Sequence, residues 1–287
     1  MTPAAQLGAL LYERLNPAGP PNLDEVCRTL GLRIKEVDAA GFDGALICSK
    51  TAQKGIIALR RNIRERGRMR FTVAHEIGHF VIPQHRLLGA TCQPDVIERF
   101  DKKLTPPEVE ANEFAAEFLL PEGLLRQRLN LKEPSLAAIS AVANEFETSL
   151  TATMYRCVDL TEAPCAMVWS QSDRTVWYHA SGTFPFLLTL SDLPTPQSVA
   201  GRLFAGGEGT VDFVEIHPDA WLNRKDAERV SCLVEHSLRL PYYDAVLSFL
   251  WIVKMEPLLA GLDEDAEGRL PELNPEDFTL RRSRWPR

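Results

Sequence analysis

Residues 71–80 read FTVAHEIGHF, and the placing of His75, Glu76 and His79 within them decides how the rest of the chain is read. On an α-helix, residues four apart lie one turn apart on the same face. The two imidazoles therefore point the same way and can share one metal ion at about 2.0–2.1 Å. Glu76 sits one step round, within reach of a water on that metal but poorly placed as a ligand. This is the H-E-x-x-H arrangement, two ligands and a general base. The bland alternative is a helix that carries two hydrogen-bonded histidines. Phe71, Ala74, Ile77, Phe80 and Val81 give the segment an apolar face to set against a core, and Gly78 leaves room beside the histidines. Pro83 stops the helix.

A catalytic zinc needs a third protein ligand and an open position. His85 has the spacing of the longer motif with a third histidine, but that motif needs a glycine where this chain has Ile82. Glu108, in the next helical segment, is favoured instead, with Asn112 one turn on and on the same face. A competing reading uses Glu108 locally. Thr105-Pro-Pro-Glu108 has capping-box spacing, so the carboxylate could close its own helix start. Glu110 is a weaker candidate ligand, pointing about 200° round the helix from Glu108.

Outward from the motif, AAQLGALLYERL is an amphipathic helix, and LDEVCRTL a second one capped by Asn22. LRIKEV, GALICSK and KGIIALR read as short strands, the last two joined by a turn around Thr51 to Gln53. The basic run Arg60, Arg61, Arg64, Arg66, Arg68 and Arg70 leads into the motif helix. It is either a solvated face or a guide for an acidic substrate. In TPPEVEANEFAAEFLLP, residues Ala111, Phe114, Ala115, Phe118 and Leu119 form one apolar face. From Pro134 to Leu160 two short helices flank a turn at Phe146 to Ser149, a helix-turn-helix-like pattern. CAMVWSQ and RTVWYHA form a hairpin around Ser172 and Asp173. GTVDFVEI and DAVLSFLWIV read as further strands with a helix between them, and an acidic then basic tail follows.

The totals narrow the function class. A net charge of −7 disfavours direct DNA binding. The helix pair offers only Arg156 to a phosphate backbone, with Glu145 and Glu147 nearby. The six cysteines are dispersed and form no C-x-x-C pair, so they read as reduced residues, with Cys92 a remote candidate for reaching the metal. No stretch reads as a signal peptide or a membrane span, and a cytoplasmic protein is expected.

GFDGALICSK, KGIIALRRNIRERGRMRFTVAHEIGHFVIPQH and EVEANEFAAEFLLP together resemble the ImmA/IrrE family of bacterial metallopeptidases. The resemblance covers residues 1 to about 125 in detail. It implies an α+β fold: a minimal zincin-like metallopeptidase domain over residues 1–130, a helix-turn-helix-like segment over 131–161, and a C-terminal α+β GAF-like domain with a flexible tail over 162–287. It implies Zn²⁺, or Mn²⁺ in the cell, held by His75, His79 and Glu108, with Glu76 catalytic and Asn112 supporting a ligand. It further implies cleavage of a helix-turn-helix (XRE-type) transcriptional repressor, which would derepress stress, DNA-damage-response or mobile-element genes. The C-terminal domain would take a small-molecule signal. The alternative is a non-proteolytic protein that binds a repressor or senses a ligand around a structural or vestigial metal site. Tyr155 and His85 are candidates for stabilising an oxyanion, with nothing to choose between them.

Overall fold

The computed structural model describes residues 1–17, 19–38, 41–48, 54–85, 105–172, 174–188 and 195–256. The expected turn at Thr51 to Gln53, the hairpin tip at Asp173, Cys92 and the C-terminal tail lie outside them.

Helix α1 (Pro3–Leu15) starts where the Thr2 side chain accepts from the Ala5 amide, with proline at the first helical position. Helix α2 (Leu23–Thr29) is capped the same way, Asn22 accepting from the Glu25 amide. Three strands follow: β1 (Leu32–Val37), β2 (Gly44–Cys48) and β3 (Gly55–Arg60). Strand β3 is central, parallel to β1 and antiparallel to β2, which leaves β2 on an edge. Helix α3 (Arg66–Val81) carries the motif, and α4 (Pro106–Leu119) packs against it. The core of this part is built from Leu23, Val26, Leu32, Ile57, Leu59, Val73, Ile77, Phe80, Phe114 and Phe118.

Helix α3 begins at Arg66, five residues before the apolar pattern does. Ion pairs hold its basic first turns, where Met69 also packs against the core. Arg66 and Arg70 both reach Glu147, at 2.7 and 3.3 Å, and Arg70 also donates to the Pro21 carbonyl. The fully buried Asp43 carboxylate takes both Arg60 and Arg68. Arg61 pairs with Asp38. Arg68 and Arg70 are drawn inward by these pairs, while Arg60, Arg61 and Arg66 keep 39–69% of their side chains exposed, so the run is part ion-pair network and part solvated face.

Helix α5 (Glu122–Arg128), α6 (Leu136–Glu145) and α7 (Leu150–Leu160) come next. Arg156, the one basic residue of α7, is turned inward onto the buried Glu117 of α4 and the Leu120 carbonyl. A five-stranded antiparallel sheet follows: β4 (Cys165–Gln171), β5 (Arg174–Ala180), β6 (Val214–Ile216), β7 (Val230–Leu240) and β8 (Ala245–Met255), in the order β5-β4-β8-β7-β6. One face, with Cys165, Met167, Leu247 and Phe249, shares a core with Leu136, Ile139, Met154 and Val158 of the helix pair. The other face, with Ala166, Val168, Leu233 and Leu250, packs on helix α8 (Val199–Phe204).

Two expectations are met only in part. The strand expected over 209–216 is only the three residues of β6, because pairing with β7 is limited to Val214–Ile216. A helix does form between the last two expected strands, but it is the four-residue α9 (Arg224–Ala227), and the same interval holds the eleven-residue strand β7, which the sequence pattern does not reveal. No helix among the described residues is long and apolar enough to cross a membrane.

Candidate metal centre

Helix α3 is buried along its motif, with His75 and Glu76 fully enclosed and His79 nearly so. Gly78 sets the depth of its contact with α4. A Cβ there would lie 3.0 Å from Phe114 Cδ1 and 3.4 Å from the Ala111 backbone. Without that Cβ, α4 lies close enough for its first turn to overhang the histidines.

Glu108 occupies that first turn, and its carboxylate faces the rings. Oε2 lies 3.1 Å from His75 Nε2 and 3.5 Å from His79 Nε2, and the two Nε2 atoms are 3.1 Å apart. The capping-box reading of Glu108 fails, for Thr105 makes no side-chain cap bond and the carboxylate is spent on the histidines. Burial alone would push the Glu108 carboxyl up. With no ion between them and the rings protonated, hydrogen bonds from His75 and His79 and their charge outweigh it, holding the group well below the usual carboxylate range.

These three atoms suit an ion. A tetrahedral ion with bonds of about 2.0–2.1 Å holds its ligand atoms roughly 3.3–3.4 Å apart, close to the triangle observed. The outer nitrogens supply a second argument. Asn112 presents Oδ1, an acceptor only, 2.8 Å from His75 Nδ1, so that nitrogen carries the proton. Nε2 is then the nitrogen left to act as a ligand, and when it is unprotonated its lone pair faces Glu108 and His79. Lone pairs and a carboxylate pointed at one another in a buried site call for a cation between them.

Glu76 follows His75 and packs under the edge strand. A Cβ at Gly44 would meet Glu76 Oε1 at 3.0 Å and Thr72 Cγ2 at 2.5 Å. The glycine thus leaves the space the carboxylate occupies.

His85 is not a third ligand. It is 2% exposed, and both ring nitrogens are engaged away from the centre: Nδ1 is 3.0 Å from His79 Nδ1, and Nε2 is 2.8 Å from Glu110 Oε2. Glu110 likewise turns to His85 and not to the triangle. Tyr155 belongs to the core beneath the sheet and stacks on His179 at 3.7 Å. Among the described residues, His75, His79 and Glu108 form the one group disposed to hold a metal.

Residues 27–158 match the family profile described as Peptidase_M78, IrrE N-terminal-like domain. This part of the chain is an IrrE N-terminal-like domain. The domain belongs to a peptidase-type family whose members typically bind zinc, and the match runs on through nearly all of α7. A transcriptional regulator of Mycobacterium tuberculosis aligns over 88% of this chain and 82% of its own, with 13% identity and a TM-score of 0.47. No curated protein is significantly similar to the chain.

Proposed function

We propose that the IrrE-like domain is a zinc-dependent endopeptidase that cleaves a helix-turn-helix transcriptional repressor. The observation that carries this reading is the convergence of His75, His79 and Glu108 beside a buried Glu76. A purely structural zinc has no need of that glutamate. When bound by those three residues, the ion would lower the pKa of a water to about 7 and polarise the scissile carbonyl. Glu76 takes the proton of the attacking water and later delivers it to the leaving amine. Asn112 keeps the His75 ring in the tautomer that presents Nε2. The physiological metal is zinc or manganese, since imidazole and carboxylate suit both. The antiparallel sheet with α8 on one face is in keeping with a GAF-like sensor for a small-molecule signal, acting on cleavage through the core it shares with α6 and α7.

One observation favours a second reading. Glu76 and His75 are fully enclosed, as they would be in a protein that binds a repressor around a shielded metal without cutting it. Intact-mass analysis of the helix-turn-helix repressor encoded nearest the gene separates the two. With wild type and zinc or manganese, one new fragment pair is expected, and with Glu76→Gln none, although that variant keeps its metal. Cleavage by Glu76→Gln would overturn the mechanism. An uncut repressor that co-purifies with both proteins would establish the binding role.

A further inference from the structure

Spacing makes His85 and Glu110 rivals for the metal, yet in the fold they line up behind it. His85 follows Pro83, where a tight turn bonds its amide to the Ile82 carbonyl at 3.2 Å and folds the residue back toward α3. Its ring lies 4.9 Å from the His79 ring, centroid to centroid. The two Nδ1 atoms face each other at 3.0 Å, so one must donate and the other accept.

The far end of the chain of contacts sets which. Glu110 is a carboxylate, an acceptor only, so His85 Nε2 carries a proton and donates to it. The neutral His85 ring then has a lone pair on Nδ1 and accepts. His79 must donate from its own Nδ1, which leaves the Nε2 lone pair directed at Glu108 and His75. Each step follows from the one before, and the result mirrors Asn112 on His75.

We propose that His85, oriented by Glu110, is a positioning residue that fixes the tautomer and ring angle of His79 and so raises the affinity of the centre for metal. The inference rests on reading His75, His79 and Glu108 as a metal site. Outer partners of ligand histidines typically contribute 10–100-fold in metal affinity. Glu110, with its side chain 47% exposed, contributes the smaller part.

The test is zinc affinity of the full-length protein, measured by competition with a chromophoric chelator, with the visible spectrum of the cobalt-substituted protein as a second readout. His85→Ala is expected to weaken zinc about 10–100-fold and to shift the cobalt bands. His85→Asn is expected to recover most of that loss, because Asn Oδ1 stands where His Nδ1 stood and accepts the same hydrogen bond. A merely space-filling His85 would not be rescued by so small a side chain. Glu110→Gln is expected to lose about tenfold or less. Thermal unfolding of the metal-free variants shows whether each is folded, and Glu110→Gln keeps the test open if His85→Ala is not. If wild type binds tightly, His79→Ala abolishes binding, and His85→Ala and Glu110→Gln bind like wild type, the positioning role is refuted while the metal site stands. If His85→Ala and His85→Asn both lose as much as His79→Ala, His85 is a ligand and the proposal fails. If wild type itself does not bind zinc or cobalt, the metal-site reading falls and takes this one with it.

Discussion

Asn112 Oδ1 lies 2.8 Å from His75 Nδ1, so one side chain of α4 determines which nitrogen of a ring on α3 faces Glu108. Asn112→Ala would leave a buried N–H without a partner and free the ring to turn. Zinc affinity should fall about 10–100-fold. Asn112→Asp keeps the acceptor and adds charge, so its affinity should equal or exceed that of wild type. A chelator competition in which both variants match wild type would show that Asn112 does not orient His75.

The Gly44–Glu76 contact yields a prediction that separates catalysis from metal binding. In Gly44→Ala the new methyl would meet the Thr72 Cγ2 atom at 2.5 Å and the Glu76 carboxylate at 3.0 Å. Thr72 is β-branched and its hydroxyl is bonded to the Arg68 carbonyl, so it yields poorly. Glu76 or the strand must move. A shift near 1 Å at a catalytic group costs about 100-fold in rate, so repressor cleavage should collapse while zinc affinity changes little. Thr72→Ser removes Cγ2 and keeps the hydroxyl, and in the Gly44→Ala background it should restore part of the lost activity. Full cleavage by Gly44→Ala would mean the space at Gly44 is not needed by Glu76.

The first half of the fold is legible in the sequence because its signals are local. Asn22 caps α2, Pro83 ends α3, and the strands at Leu32 and Gly55 are short runs bounded by breakers. The pairing of His75 with His79 is equally local. What spacing leaves open is which distant group meets them. Glu108 at a helix start serves a cap or a metal equally well until α3 and α4 are known to pack through Gly78. His85 and Glu110 are visible as metal-binding types, and their place behind His79 depends on the turn at Pro83. Strand β7 hides for a different reason. Its inward positions run Leu233, Glu235, Ser237, so the apolar alternation breaks in mid-strand where a buried carboxylate is satisfied by tertiary contacts.

His236, next on that strand, points to the opposite face, against Phe213. Burial lowers its ring pKa from the ordinary 6.5, against the opposing effects of Asp212 and the Thr210 backbone. A lowered folded value means that the unfolded chain takes up the proton first as the pH falls. The ring therefore contributes stability that is present above pH 6.5 and lost as the pH drops through the folded value. His236→Phe removes this dependence. Its melting temperature relative to wild type should rise between pH 7.5 and pH 5.5, and a constant difference across that range would show that His236 does not titrate with folding.

Glu235 is fully buried, and its two oxygens accept four hydrogen bonds: from the amides of Val199 and Ala200, from Trp221 Nε1 and from the Ser237 hydroxyl. It holds the start of α8 against the sheet, where the Ser198 hydroxyl adds a cap on the Gly201 amide. The helix start favours the negative charge, and the four donors replace the water it has lost. Glu235→Gln keeps the shape but turns an NH₂ group toward donors, leaving at least one buried N–H unpaired. A loss of about 2–3 kcal/mol in urea unfolding is expected. The same change should speed hydrogen exchange of the Val199 and Ala200 amides, while amides of α3, in a separate core, stay protected. Ser237→Ala removes one donor of the four and should cost about 1 kcal/mol. If Glu235→Gln exchanges at Val199 and Ala200 as slowly as wild type, the carboxylate is not what anchors α8.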